Sequence, residues 1–321
     1  MAIEFGLTTE MVNTQYAVLG VLLAHYQQNQ VLKSLDQVRI SMKSGDFSPN
    51  DKVEQVLVSI LAGCETISEV NLKLKPEIQL AQLCDWPRFA DQSGLSRTLD
   101  ALTLMNIEQL RQAVTQILHQ QGQTVNHDWR GHLYLDFDLS GLPCGKKAQE
   151  SHKGYFAKKN VTGRQLARVS AIKYRETLWS ELYPGNQHTV HCFQPAVLAI
   201  ESSLELDERQ RKRTVWRMDG GAGTDEHIKW LLARGYHVIA KGLSHFRAAK
   251  LAQQAQRWDA YDDWWLAEVP PSVDYGCPIR VFVRRRLKDD KWRHSYYLST
   301  LQLPPLKAIF WTFTTVEVGL R

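Results

Sequence analysis

Apolar and polar residues alternate in the stretch from Leu133 to Gly145, and this alternation predicts a β-strand with two different faces. The apolar face consists of Leu133, Leu135 and Phe137. The polar face carries two carboxylates, those of Asp136 and Asp138, close to the turn residues that end the strand. Taken alone, this stretch is explained by a half-buried strand with a solvated acidic face. Whether the two carboxylates have a function therefore depends on the rest of the chain.

Residues 1–124 form the first predicted domain, and their apolar residues recur at the three- and four-residue spacing of helices. The run Ser48-Pro49-Asn50-Asp51 is typical of a helix start, with a capping serine, a proline at the first position and an early acid. Phe89–Leu99 has the pattern of a turn between two helices, which is more typical of a plain helical bundle than of a helix-turn-helix that reads DNA. The polar run from His119 to Thr124 marks the boundary of a second domain, residues 125–321.

Strands dominate the pattern of this second domain. After the strand that begins at Leu133, we expect strands at Leu166–Tyr174 and Thr189–Phe193 and a charged helix from Pro195 to Arg211. Residues 242–300 contain short strand-like pieces and are predicted to be a β-rich insertion. The chain as a whole is therefore predicted to have an α/β domain preceded by an all-α domain.

A second aspartate stands at the end of another predicted strand. Thr214–Asp219 is followed by a glycine-rich turn, a helix and the strand Tyr236–Lys241. A carboxylate at the carboxyl end of a strand, beside a glycine turn, is where α/β proteins place functional groups. The glycines lack the spacing of a phosphate-binding P-loop, which argues against nucleotide binding.

Composition narrows the class of protein further. A chain of 321 residues with 44% hydrophobic residues is long enough for two domains and a substantial core. Its five cysteines are scattered, which argues against a zinc ribbon and a disulfide framework. The sequence has no membrane-spanning apolar run and no secretory signal at its N-terminus, so we expect a cytoplasmic protein that does not bind membranes.

Basic residues cluster in three segments, although the net charge is only +5. Such clusters, interleaved with aromatic rings, suit a phosphate backbone, whereas ordinary solvated surface explains any one of them alone. The predicted DNA-binding residues are Lys146, Lys147, Lys153, Lys158, Lys159, Arg164, Arg211, Arg213, Arg284 and Arg285.

Asp138 and Asp219 would meet if their two strands were neighbours in one sheet. Two carboxylates at about 4 Å repel each other unless a cation lies between them. Mg²⁺ prefers oxygen ligands, and two such ions can activate a nucleophile and stabilise the leaving oxygen of a phosphodiester. This chemistry requires acidic residues that bind the metal ions, surrounded by basic residues that bind the DNA.

The order and spacing of these motifs resemble those of bacterial insertion-sequence DDE transposases, whose catalytic domain is RNase H-like and carries a β-rich insertion. Leu135–Ser140 matches the first strand motif of that family, Arg217–Gly221 the second, and Gly235–Ile239 the strand that follows. Phe89–Leu99 is similar to the segment that precedes the catalytic domain in the family.

The resemblance implies metal-dependent cleavage and transfer of DNA strands at the ends of an insertion element, with two Mg²⁺ or Mn²⁺ ions. It implies double-stranded DNA as partner, both the terminal repeats and the target, a homodimer on that DNA, and a place at the bacterial nucleoid. Asp138 and Asp219 correspond to the first two metal ligands, and Asp136 is the alternative to Asp138.

The third carboxylate is where the sequence departs from the family. The family's Tyr-x-x-Arg-x-x-x-Glu pattern does not follow Tyr296–Thr300, and Glu317 is the acid that remains downstream. Glu226 and Glu268 are less favoured. We therefore expect Glu317 as third ligand, or a C-terminally truncated, catalytically dead remnant that binds DNA without cutting. An RNase H-fold nuclease acting on cellular DNA is a further alternative.

Overall fold

The computed structural model describes residues 14–43, 45–154, 156 and 161–302. The chain divides into two compact units, Met1–Gly122 and Gln123–Arg321. Three of the predicted site residues, Lys158, Lys159 and Glu317, lie outside the described residues.

The first unit is helical. Its described α-helices are α1 (Ala17–Gln28), α2 (Pro49–Leu61), α3 (Val70–Lys73), α4 (Ile78–Gln82), α5 (Gln92–Asp100) and α6 (Leu104–Gln121). Short 3₁₀ turns at Lys33–Gln37 and Ile67–Glu69 link some of them. The core contains fully buried Val70, Leu74 and Phe89. The apolar residues that recur at helical spacing in the sequence therefore pack into one common interior.

Two local predictions in this unit have different outcomes. The helix start at Ser48 is confirmed, because Ser48 Oγ accepts from the Asp51 amide at 3.0 Å and Asp51 Oδ2 accepts from the Ser48 amide at 2.8 Å. The turn expected within Phe89–Leu99 is wrong, because α5 occupies most of that segment. Leu95 and Thr98, three positions apart, are both buried, and this spacing stabilises a helix.

The second unit combines strands and helices. Its described strands are β1 (Leu133–Pro143), β2 (His152–Lys153), β3 (Thr162–Ala171), β4 (Glu176–Pro184), β5 (Thr214–Met218), β6 (His237–Lys241), β7 (Asp259–Tyr261), β8 (Trp264–Val269), β9 (Arg280–Lys288) and β10 (Lys291–Ser299). Its described α-helices are α7 (Thr189–Ser203), α8 (Glu208–Arg211), α9 (Asp225–Ala233) and α10 (His245–Ala252), and a 3₁₀ turn spans Thr124–Asn126.

One mixed sheet contains all ten of these strands. Its order is β2-β3-β1-β5-β6-β10-β9-β8-β7, and β4 also pairs with β3. β1, β3 and β4 are antiparallel neighbours, whereas β5 runs parallel to β1 and β6 parallel to β5. This sheet with flanking helices confirms the predicted RNase H-like fold class.

The segment 242–300 is rich in strands, as predicted, but it also contains helix α10, which the sequence pattern did not indicate. β10 pairs with β6 in antiparallel fashion, and β9, β8 and β7 follow it outward. These four strands therefore extend the main sheet.

Helix α7 covers the apolar face of β1 and β5. Its Phe193 ring, which is fully buried, lies 5.1 Å from the Phe137 ring and 5.8 Å from that of Trp216. The strand predicted at Thr189–Phe193 is wrong, because these residues form the first turns of α7. Buried residues recur there every three or four positions, at Cys192, Phe193, Ala196, Val197 and Ile200.

Candidate functional site

Asp138 and Asp219 lie on neighbouring strands. β1 and β5 are parallel, and Phe137 pairs with Met218 as the last residue pair of their register. Asp138 is the next residue of β1, and Asp219 directly follows the last residue of β5. Side chains alternate along a strand, so Asp138 belongs to the face opposite Phe137, and the same alternation continued one residue past β5 puts Asp219 on that face. Both aspartates are exposed. The structure thus brings together the two predicted ligands on a solvent-accessible face.

Asp138 is held by two side chains that converge on the same oxygen. Ser140 Oγ donates to Asp138 Oδ2 at 2.5 Å, and Arg168 Nη2 lies 3.2 Å from that atom. Arg168 stands directly opposite Asp138 in the antiparallel pairing of β3 with β1. The Asp138 and Arg168 side chains are about half exposed, at 50% and 43%, so solvent screens this ion pair.

Backbone amides hold Asp219. Its Oδ1 accepts from the Gly221 amide at 2.9 Å and from the Ala222 amide at 3.3 Å. Glycine is required in this turn, because a Cβ on Gly221 would lie 2.8 Å from Thr189 Oγ1 and one on Gly223 would lie 2.3 Å from the carbonyl oxygen of Lys241. The glycine run therefore folds a tight turn whose amides orient the carboxylate.

Asp136 has a buried partner. It pairs in register with Arg217 on β5, and Arg217 Nε lies 2.7 Å from Asp136 Oδ1, an ion pair without hydrogen-bond geometry. Burial raises the pKa of Asp136 to about 6, although Arg217 acts in the opposite sense, and the nearby charge of Asp138 adds to the increase. Burial also lowers the pKa of Arg217, whose side chain is 3% exposed.

Sequence reasoning did not find this contact between Asp136 and Arg217, nor that between Arg168 and Asp138. The sequence does indicate the first contact, because Asp136 precedes Asp138 by two residues and Arg217 precedes Asp219 by the same number. The second depends on the pairing of β3 with β1, for which the sequence pattern gives no register.

The residues at this site supply part of the ligand set of a divalent cation. Two exposed carboxylates in adjacent register supply the oxygen ligands that Mg²⁺ prefers, and Mg²⁺ usually keeps several waters. Within the described part of the chain, no group of three or more His, Cys, Asp or Glu side chains has the arrangement of a metal site. Glu268, one of the less favoured third ligands, is paired with Arg280 on β9, with Nη2 and Oε2 2.7 Å apart.

The described members of the predicted DNA-binding set fall in four places. Lys146, Lys147 and Lys153 are exposed in and around the segment that joins β1 to β3. Arg211 and Arg213 precede β5, so they lie at the opposite end of that strand from Asp219. Arg211 donates to the carbonyl oxygens of Leu206 and Arg234, both at 3.2 Å, and so supports local structure.

The arginines of β3 and β9 also have protein partners. Arg164 Nη2 donates to the carbonyl oxygen of Leu182 at 3.4 Å. The Arg284 guanidinium lies 4.9 Å from the centre of the Trp264 ring. That of Arg285 lies 4.1 Å from the Trp258 ring and 4.6 Å from the Trp292 ring. These cation–π contacts hold the two β9 side chains against the sheet.

Comparison with known proteins finds solved structures that are distantly similar to this chain. No family model and no curated protein matches the chain. It is similar to the piggyBac transposase in a synaptic complex with hairpin DNA, with a TM-score of 0.47 and 10% identity over 89% of this chain and 61% of that one. It therefore spans less than two thirds of the piggyBac chain's length.

The Mos1 transposase, in a paired-end complex with the left transposon end, has a TM-score of 0.25 and 11% identity over 62% of this chain and 60% of that one. A pre-cleavage Mos1 transpososome gives the same score and identity over 70% of each chain. These sequences are too different from this one for an activity to follow from the likeness. None of the helices in the described ranges is long and apolar enough to cross a membrane.

Proposed function

We propose that this chain is a DDE-type transposase, which cleaves and transfers DNA strands at the ends of an insertion element. The observation that supports the proposal is the pair Asp138, on β1, and Asp219, directly after the parallel neighbour β5 of an RNase H-like sheet; both are exposed. The motif order that resembles the insertion-sequence family is consistent with it. The carboxylate oxygens of the pair are the kind of ligand that a hard cation prefers.

In this proposal Asp138 and Asp219 ligate two Mg²⁺ or Mn²⁺ ions, and Glu317 is the third ligand. When bound, such ions activate a water or a 3′-hydroxyl and stabilise the leaving oxygen of the phosphodiester. Ser140 and Arg168 orient the Asp138 carboxylate, and the amides of the glycine turn orient that of Asp219. The ligands would thus be positioned before metal binds, which limits the ordering cost of binding.

The proposed partner is duplex DNA, comprising the terminal repeats of the element and its target, with a homodimer assembled on it at the bacterial nucleoid. The exposed Lys146, Lys147 and Lys153 support this partner, because they follow the strand that carries Asp138. Lysines at such a place contribute phosphate contacts rather than base recognition.

The test is strand cleavage and joining by the full chain on duplexes that carry the ends of the element encoding it, with Mn²⁺ present. We expect Asp219→Asn to abolish cleavage and to leave DNA affinity unchanged, because the substitution removes a metal ligand and preserves the side-chain shape. Asp290→Asn is the matched control, since Asp290 is exposed in a turn with φ of 54°, which asparagine also adopts. Normal cleavage by Asp219→Asn would refute the assignment.

A DNA-binding protein that occupies the ends without cutting is the second candidate. One observation favours it, namely that no group of three or more metal-ligating side chains occurs among the described residues. Binding of the element ends by the wild-type chain without cleavage in Mn²⁺ would support this candidate against the enzyme. Equal cleavage of duplexes lacking the element ends would instead favour a nuclease for cellular DNA.

A further inference from the structure

The ion pair between Asp136 and Arg217 lies one step along the sheet from the two proposed ligands. Asp136 and Arg217 are opposite each other in the parallel register of β1 and β5, and Asp138 and Asp219 each follow two residues later. Because side chains alternate, all four project from the same face. The charged pair is therefore the immediate neighbour of the carboxylate pair on both strands.

Arg217 lies in buried, apolar surroundings, where its positive charge needs the carboxylate of Asp136 as a counter-ion. Its side chain is 3% exposed and that of Asp136 is 21% exposed. The same face carries an apolar cluster of Val215, Ile239 and Leu301, and Ile239 stands beside Arg217 in the pairing of β5 with β6. A charge in such a place is costly to leave unpaired, so removing either partner alone strongly disturbs the structure around the other.

This arrangement argues against Asp136 as a metal ligand. To bind a cation with Asp138, the Asp136 carboxylate would have to leave Arg217 as a buried charge without its counter-ion. The positive charge of Arg217 also opposes a second cation next to Asp136. Its pairing with Asp136 keeps that carboxylate occupied and leaves the exposed Asp138 and Asp219 to bind metal.

We propose that Arg217 and Asp136 are positioning residues, which lock β1 to β5 at the step before Asp138 and Asp219 and thereby set the affinity of that pair for divalent cations. The inference rests on the proposed function, because it takes Asp138 and Asp219 as the ligands. It assigns Arg217, the first residue of the second strand motif, a role in the metal site that acts through Asp136. Residues that orient ligands without touching the metal typically contribute about 10- to 100-fold to metal affinity.

The experiment measures Mn²⁺ affinity of the full chain without DNA, by electron paramagnetic resonance of free Mn²⁺. We expect Arg217→Met and Asp136→Asn each to weaken binding by at least about tenfold. The double variant, Asp136→Asn with Arg217→Met, has neither charge left to bury, so we expect it to recover most of the wild-type affinity. If Asp136 were a ligand, Asp136→Asn would weaken binding and the added Arg217→Met would restore nothing, which would overturn the inference.

Two controls separate positioning from general loss of stability and from failure of the proposed site. Ile200→Val, a fully buried change in α7, destabilises the core without touching the charged face, and we expect normal Mn²⁺ affinity from it. Arg217→Lys, which keeps the charge, replaces Arg217→Met if the latter does not fold, and we expect intermediate affinity. Lost binding by Asp219→Asn together with normal binding by the Arg217 variant overturns the inference alone. Unchanged binding by Asp219→Asn overturns the proposed function and the inference with it.

Discussion

Glu54 gives the helical unit a stability that depends on pH. It lies in α2 and lines a cavity of about 340 Å³ together with Tyr26, Asp36, Asp51 and Trp86, among others. Burial raises the pKa of Glu54 to about 7, and the negative charges of Asp36 and Asp51 add to the increase. The folded unit therefore binds a proton at Glu54 more tightly than the unfolded chain does.

The sign and size of the effect follow from this difference. The ordinary pKa of Glu54 is 4.5, so its contribution to stability is fully present below about pH 4.5 and is lost as the pH rises through about 7. The pKa rises from 4.5 to about 7, and a tenfold change in proton affinity corresponds to about 1.4 kcal/mol, so the loss amounts to about 3 kcal/mol once solvent screening of this partly exposed side chain is allowed for. Glutamine has the shape of the protonated side chain and carries no charge at any pH.

We expect Glu54→Gln to match the wild type near pH 4 and to exceed it by up to about 3 kcal/mol near pH 8. Urea unfolding, followed by circular dichroism at the helical wavelength, measures the difference at each pH. Glu65→Gln, at an exposed position of the same unit, is the control and should change stability equally at both pH values. A difference between the two pH values below about 1 kcal/mol for Glu54→Gln would refute the argument.

Three further predictions concern the second unit. Phe193→Ala should lower the free energy of unfolding by about 3–5 kcal/mol in urea, because the fully buried ring fills the interface between α7 and the sheet, and a loss below about 1 kcal/mol would contradict that packing. Tyr236→Phe should cost about 1 kcal/mol in the same assay, because Tyr236 Oη donates to Glu201 Oε1 at 2.8 Å; no change would mean that water satisfies the carboxylate equally well. DNA affinity should fall steeply with salt, and replacing Lys146 and Lys147 by alanine should reduce the slope by about 2; an unchanged slope would exclude phosphate contacts there.

Much of the local structure could be predicted because it depends on neighbouring residues. The alternation in β1 places Leu133 and Leu135 in the core and Asp138 at the surface, as its burial shows. The residues at Ser48 form the capping box of α2. The start of α7 was misjudged, because five residues at Thr189–Phe193 are too few to separate the period of a strand from that of a helix.

The order of residues along the chain is therefore enough to predict the strand with two faces, the strand-end aspartate with its glycine turn, and the α/β class of the second unit. Which strands are neighbours, and in what register, is a property of the folded sheet. Register decided that Asp138 stands beside Asp219 and that Asp136 faces Arg217, because Asp136 and Arg217 are 81 positions apart in the chain and meet only when β1 and β5 pair. The burial of that pair depends on the packed sheet as a whole, so no local pattern of the sequence contains it.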